Sequence, residues 1–329
     1  MSATGADGVE HHRVATGSVV AGVEVVVEVA VMPGDAAAAG GPSPGAPSEA
    51  GRAWRRPLLL LAGLGAQRID WPEVFLQRLR AAGLTVIAMD NRDAGASTAL
   101  PGPVTPVTEL EAALAGDAVD APYGLAQVAA DAVAVLDHLD VPAAHVLGRS
   151  MGGMIAQHVA IARPDRVSSL TILSSTSGDP LAGQPTPAAR DALIAPTPTD
   201  RAGVIESGVA RARLTGSPGL FDEQEARRRI AARYDRAHRP EGTARQLLAI
   251  LTDGDRSERL AGVSVPTLVL HGDADPLVTV SGGRSVAAAI PGARFEVLEG
   301  MGHDLPAAFL PRIVDALLDH ARTAEQLGR

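Results

Sequence analysis

The chain has 329 residues, enough for one large α/β domain or two ordinary ones, and 46% of them are hydrophobic, ample for a core. Aromatics make up only 2%, so that core must be mostly Ala, Val and Leu. The net charge is −9 and the pI near 5.5, which leaves no basic stripe for nucleic acid. Cysteine and lysine are both absent, which excludes disulfides, thiolate catalysis, Schiff-base chemistry and Walker-type phosphate binding.

Met1–His12 lacks the basic start and apolar stretch of a secretion signal. The run Val19–Met32 is too short and too charged, with Glu24 and Glu28, to span a bilayer. A cytoplasmic protein without membrane partners is the expectation. Val23, Val25, Val27 and Val29 alternate with more polar neighbours. Arg13–Val20 and Val23–Val31 therefore read as an antiparallel hairpin turning at Ala21-Gly22. Residues 34–56, rich in Ala, Gly, Pro and Ser, read as a flexible surface insertion.

Pro57–Leu61 is a wholly apolar strand running into Gly63-Leu64-Gly65. A dinucleotide-binding turn, with Asp90 on the ribose, is one reading of that loop. It lacks the third glycine, because position 68 is Arg. A helix (Pro72–Ala82), a strand (Leu84–Met89) and the polar loop 90–97 follow, the loop's charges being expected to buttress it. Thr105–Pro122 reads as irregular and Leu125–Leu139 as an amphipathic helix.

Ala144–Leu147 is a strand, Gly148-Arg149-Ser150-Met151-Gly152 a sharp turn, and Met151 the start of a helix. This is the Gly-x-Ser-x-Gly elbow, which lifts a serine hydroxyl clear of a sheet and leaves helix N-terminal amides for an oxyanion. The backbone amides of Leu64 and Met151 are the candidate oxyanion donors. A near match at Gly283-Arg284-Ser285-Val286-Ala287 has no strand before it. Val167–Leu173 is another strand. Asp179–Asp255 then holds only helical stretches, at Ala188–Ile194, Arg201–Leu214, Glu223–Arg236 and Gly242–Leu251. It reads as a cap, with Arg227-Arg228-Arg229 on a solvated face. The sheet resumes at Pro266–His271 and Arg294–Leu298, and a helix over Pro311–Ala321 closes the chain.

Asp275 and His303 follow the last two strands, on the same sheet edge as Ser150. A serine needs a base near neutral pKa, and the base needs a carboxylate to fix its tautomer. Asp275, followed by Pro276, is preferred to Asp273, and also to Asp179, which lies at the mouth of the cap. His271 is expected to bond its own loop.

The order Ser150, Asp275, His303 resembles the triad of the α/β-hydrolase superfamily, over Val9 to Ala321. Gly63-Leu64-Gly65-Ala66-Gln67, Asp90–Thr98, Tyr123-Gly124-Leu125 and Gly300–Pro306 resemble the aclacinomycin methylesterase-like esterases within it. Arg149 departs from the smaller or apolar residue expected beside the nucleophile. The resemblance implies hydrolysis of a small-molecule carboxylic ester through an acyl-enzyme, without metal or organic cofactor. It implies a mostly parallel sheet with an antiparallel N-terminal hairpin, helices on both faces and a helical cap. The core would be residues 9–178 and 256–321, and the cap 179–255. A cofactor-free perhydrolase with the same triad and a non-catalytic binding protein on this fold are the rival readings. The sequence leaves the oligomeric state open.

Overall fold

The computed structural model describes residues 2–4, 8–35, 56–102 and 105–327. Of the insertion expected over 34–56, only Gly34, Asp35 and Arg56 fall among them; the rest lies outside the described residues. Asp35 is tied back by its amide to the Arg80 carbonyl, 2.9 Å away, and Arg56 pairs with Glu325 at 2.7 Å.

Among the described residues nine strands form one sheet: β1 (Ser2–Thr4), β2 (Glu10–Val20), β3 (Val23–Met32), β4 (Pro57–Leu61), β5 (Thr85–Met89), β6 (Ala144–Arg149), β7 (Val167–Leu173), β8 (Thr267–Gly272) and β9 (Arg294–Leu298). Their order is β1-β2-β3-β5-β4-β6-β7-β8-β9. The pairs β1/β2, β2/β3 and β3/β5 are antiparallel, and all those beyond are parallel. The expected hairpin turns at Ala21 (φ 49°) and Gly22 (φ 76°), the two positive φ values of a tight type I′ connection. A register shift between Ala15 and Val19 adds a bulge.

The chain winds from β4 to β5 in one direction and then returns to the other side of β4 with β6. The loops after β4 and β6 therefore leave the sheet side by side, and a crevice at the carboxyl ends of the strands opens between them.

The leucines of β4 show how the sheet is buried on both sides. Leu59 and Leu61 face one cluster with α3 (Leu125–His138) and α4 (Met151–Ala162). Leu58 and Leu60 face another with α1 (Glu73–Ala81) and α11 (Leu310–Leu327). All four are fully buried, as the period of two demands of a strand covered by helices on both faces.

Several elements depart from expectation, β1 ahead of the hairpin and the short α9 (Ser257–Leu260) among them. Within Thr105–Pro122, expected to be irregular, α2 (Val107–Ala115) forms because Leu110 and Ala113 pack on Leu247 and Leu248 of α8 (Pro240–Leu251). Between β8 and β9 the chain forms α10 (Val280–Ala289), around the sequence that mimics the elbow. There Gly283 lets the helix sit on the His271 ring, whose Nδ1 would lie 2.4 Å from a Cβ. The last helix runs on to Leu327, where Glu325 meets Arg56 and His145. Between β7 and β8 stand α5 (Pro187–Ile194), α6 (Arg201–Thr215), α7 (Glu223–Arg236), α8 and the one-turn α9 (Ser257–Leu260), with no strand among them.

The loop after β5 is buttressed by its charges, as expected. Arg92 and Asp131, both fully buried, form a bidentate pair with two 2.6 Å bonds. Asp131→Asn leaves that guanidinium buried without a counter-charge, so urea unfolding should show a loss of about 3–5 kcal/mol. A loss below about 1 kcal/mol would show that the pair contributes little.

Candidate active site

Ser150 stands between β6 and α4 with φ 56° and ψ −123°, a conformation that costs a non-glycine residue roughly 1–3 kcal/mol. Two glycines make the turn sterically possible. A Cβ on Gly148 would lie 2.1 Å from the Gly152 carbonyl oxygen, and one on Gly152 would lie 1.9 Å from that of Leu61. Hydrogen bonds hold the strained residue in place. Its amide donates to Leu173 (2.9 Å), and its carbonyl accepts from the amides of Gly153 (2.8 Å) and Met154 (3.2 Å) and from the Ser175 hydroxyl (2.8 Å).

The structure brings Ser150, His303 and Asp275 together. The Ser150 Oγ lies 3.0 Å from His303 Nε2, and His303 Nδ1 lies 2.6 Å from Asp275 Oδ2. A carboxylate can only accept, so Nδ1 carries the proton and Nε2 is free to take one from the serine. Asp275 Oδ1 accepts from the amides of Leu277 and Val278, each at 2.9 Å, which fixes the other oxygen toward the imidazole. Burial raises the Asp275 pKa, but His303, His271 and the Val278 amide outweigh it and hold the carboxyl well below the usual carboxylate range. His271 Nε2 donates to the Val278 carbonyl at 2.8 Å, bonding its own loop as expected, and lies 3.6 Å from Asp275.

The competing acids are engaged elsewhere. Asp273 accepts from the Gly300 amide at 2.7 Å, and Asp179 from the Leu181 amide at 2.8 Å. Asp90, the ribose ligand of the dinucleotide reading, is fully buried on the Arg68 amide, the Ala96 amide and Arg236.

The loop after β4 passes directly over the serine, since a Cβ on Gly63 would sit 3.3 Å from that of Ser150. Gly65 donates its amide to Gln246 Oε1 at 2.9 Å, and Ala66 to the Gly63 carbonyl at 3.2 Å. The Leu64 amide between them donates to no carbonyl of the described turns and loops. Met151 opens α4, and its amide is one of the N-terminal donors a helix leaves unpaired.

Several supports had no sequence signal. Arg149 turns its guanidinium to the His303 carbonyl, and its Nε is buried without a partner. Burial lowers its pKa against the pull of Asp275 and Asp304. The His303 loop is also held from the helical segment. The His303 amide donates to Thr215 (2.7 Å), and Asp304 accepts from the amide and hydroxyl of Ser217. Gln246 bridges Gly65 and the Arg92 carbonyl (2.7 Å), and Arg245 grips Asp93 with two 2.9 Å bonds. Arg227 and Arg228 are ion-paired, as a solvated face requires, but Arg229 is half-buried with its Nε buried without a partner.

An elbow serine, an imidazole and a carboxylate thus meet at the switch point of a mostly parallel sheet. A family model described as alpha/beta hydrolase fold matches residues 56–306, and the chain belongs to that family. It is 33% identical over 289 residues to the rhodomycin D methylesterase DnrP of Streptomyces peucetius, covering 82% of this chain and 91% of that one. With the rhodomycin D methylesterase DauP of Streptomyces sp. (strain C5), identity is 32% over the same shares. Among solved structures, a thermophilic esterase from Thermogutta terrifontis superposes with a TM-score of 0.67 at 20% identity. That match covers 95% of this chain and 98% of the other. No helix among the described residues is long and apolar enough to cross a membrane.

The depressed Asp275 pKa has a consequence for stability. A carboxyl whose folded pKa lies below its unfolded value of about 3.9 stabilises the fold above that pH, and the contribution fades as pH falls toward the folded pKa. The stability gap between wild type and Asp275→Asn should therefore be widest at neutral pH and shrink progressively as the pH falls below about 4, by urea unfolding. A gap that widens on acidification would contradict the assignment.

Proposed function

We propose that the chain hydrolyses a carboxylic ester by two-step acyl transfer with Ser150 as nucleophile. The observation that carries this is the unbroken relay from Ser150 Oγ through His303 to Asp275, with bonds of 3.0 and 2.6 Å. Ser150 attacks the ester carbonyl while His303 Nε2 accepts its proton, and Asp275 steadies the imidazolium that forms. The oxyanion is received by the amides of Leu64 and Met151, aimed where charge develops rather than where it already resides. His303 then gives the proton to the departing alcohol. Water, activated by the same imidazole, releases the acid from Ser150.

The helices between β7 and β8 act as a cap over the strand ends, with residues 179–255 as its extent and 9–178 and 256–321 as the core. Thr215 and Ser217 join that cap to the His303 loop, so cap position and base position are mechanically linked. Likeness to the rhodomycin D methylesterases favours a methyl ester of a polyketide-like or other small apolar acid as substrate.

Ser150→Ala should lower kcat for a simple ester by roughly 10⁶ while leaving circular dichroism unchanged. The double variant with His303→Ala should be little worse, because triad members act as a unit. Activity of Ser150→Ala within tenfold of wild type would sink the mechanism, as would fluorophosphonate labelling of any other residue. Asp275→Asn should cost about 10⁴ through loss of the correct imidazole tautomer. Asp179→Asn, whose carboxylate only braces its own turn, should cost less than about tenfold. The reverse ranking in steady-state kinetics would mean that the acid has been misassigned.

A further inference from the structure

A cavity of about 130 Å³ lies against the Leu64–Gly65 turn, walled on its far side by α6, α7 and the start of α8. Ser150 and His303 do not line it. Its near wall is nevertheless the turn that crosses the serine at Gly63, so it lies on the Leu64 side of the nucleophile. An acyl group attached to Ser150 would project on this side, while the departing alcohol is served by His303.

The charge of this cavity is one-sided, in a protein whose net charge is −9. Arg211, Arg233 and Arg239 line it. The carboxylate that also lines it, Asp93, has both oxygens committed: Oδ1 to Arg245 and the Leu100 amide, Oδ2 to Arg245 and the Tyr123 hydroxyl. Arg239 spends its Nε on the Gly95 carbonyl, and Arg233 comes no nearer than 3.8 Å to Asp70. The Arg211 side chain is half-buried. Among the described residues no acid or carbonyl receives it, and its charged neighbour is Arg233. Burial and that second guanidinium both push its pKa down.

The contrast with the outer face of the same helices is sharp. There Arg201, Arg213, Arg227 and Arg228 are each paired with an acid. A half-buried guanidinium that faces a second guanidinium and meets no acid is unusual here, since the chain has 38 acidic residues from which to supply one. The fork of an arginine matches a carboxylate in two parallel hydrogen bonds.

We propose that the cavity receives a free carboxylate carried by the acyl portion of the ester substrate, with Arg211 as its principal ligand and Arg233 as the second cation. This deepens the ester-hydrolase reading, replaces its apolar acid by one that carries a second carboxylate, and rests on that reading for the orientation of the acyl group. The substrate is then a half-ester: one carboxyl esterified and held at Ser150, the other ionised and held at Arg211.

The test compares mono-p-nitrophenyl glutarate with p-nitrophenyl butyrate, esters of similar length that differ in the terminal carboxylate. Wild type should favour the acidic ester by about tenfold in kcat/KM, the order expected of one charge-assisted hydrogen-bond pair. Arg211→Gln should remove that preference, mainly through KM, Arg211→Lys should keep part of it, and Arg228→Gln on the outer face should leave the ratio untouched. A second measurement is independent of turnover. Calorimetry should show glutarate binding to the Ser150→Ala protein, and Arg211→Gln or Arg211→Lys in that background should weaken it. A wild-type ratio near one, or a ratio indifferent to Arg211→Gln, overturns the proposal. Butyrate ester turned over without glutarate binding removes the carboxylate site and leaves the esterase. Glutarate bound through Arg211 with neither ester turned over keeps the site and removes the esterase.

Discussion

The close passage of three backbone segments at the head of β6 is the constraint on which the rest of the structure depends. Gly148, Gly152 and the Leu61 carbonyl approach to distances that exclude any Cβ, and Ser150 is left at a positive φ at the crest. Such a turn is unfavourable in isolation. It persists because the strand before it, the helix after it and the neighbouring strand are each buried on their own account, and because the serine backbone is saturated with hydrogen bonds. The same approach that strains the residue brings the Gly63 turn over its side chain. Strain, exposure of the hydroxyl and the candidate oxyanion pocket are consequences of one packing arrangement.

Around this turn the protein relies on arginine–carboxylate pairs where an aromatic-rich core would rely on ring packing. Eight aromatic residues of Phe, Tyr and Trp serve the whole chain, so shape alone does little to lock the helices between β7 and β8 onto the sheet. Directional bonds do it instead. Arg245 holds Asp93, Arg236 holds Asp90, Arg256 holds Asp253, and Arg92 holds Asp131, all with the carboxylate buried. Three of these join a helix of that segment, or the short link after it, to the sheet side of the molecule or to its own base. A buried pair resists sliding because displacement strands two charges, which an alanine–leucine contact does not. A sequence with no lysine suits this arrangement, since the planar guanidinium can satisfy a carboxylate and a carbonyl together.

The helical segment is coupled to the chemistry through backbone rather than through a reacting side chain. Thr215 and Ser217 anchor the loop of His303, and Gln246 anchors the turn of Leu64. A shift of these helices would move the base and one proposed oxyanion donor together. Arg211 and Arg233 of the cavity stand on these same helices, so the surface proposed to meet the substrate is also one that holds the geometry of the site.

The sequence by itself determined β2 to β9, most of the helices that cover them and the elbow, because each rests on local signals. β4, β7, β9 and α7 lie where apolar runs and helical spacing predict them, and Ser150 declares itself by the glycines on either side. His303 and Asp275, which the structure brings to Ser150, were named from chain order and strand ends, which restrict where a triad can draw its members. Tertiary structure alone decided the rest. α2 forms among prolines because Leu110 and Ala113 find α8, and α10 forms in a glycine-rich stretch because Gly283 can rest on His271. Arg149 reaches the His303 carbonyl across 154 positions of sequence, and Arg211 is left without a partner where Arg213 finds one. Local spacing carries no information about such pairings. Whether a guanidinium meets an acid, a carbonyl or an empty cavity is set by the packing of helices far apart in the chain, and only the folded molecule contains that distance.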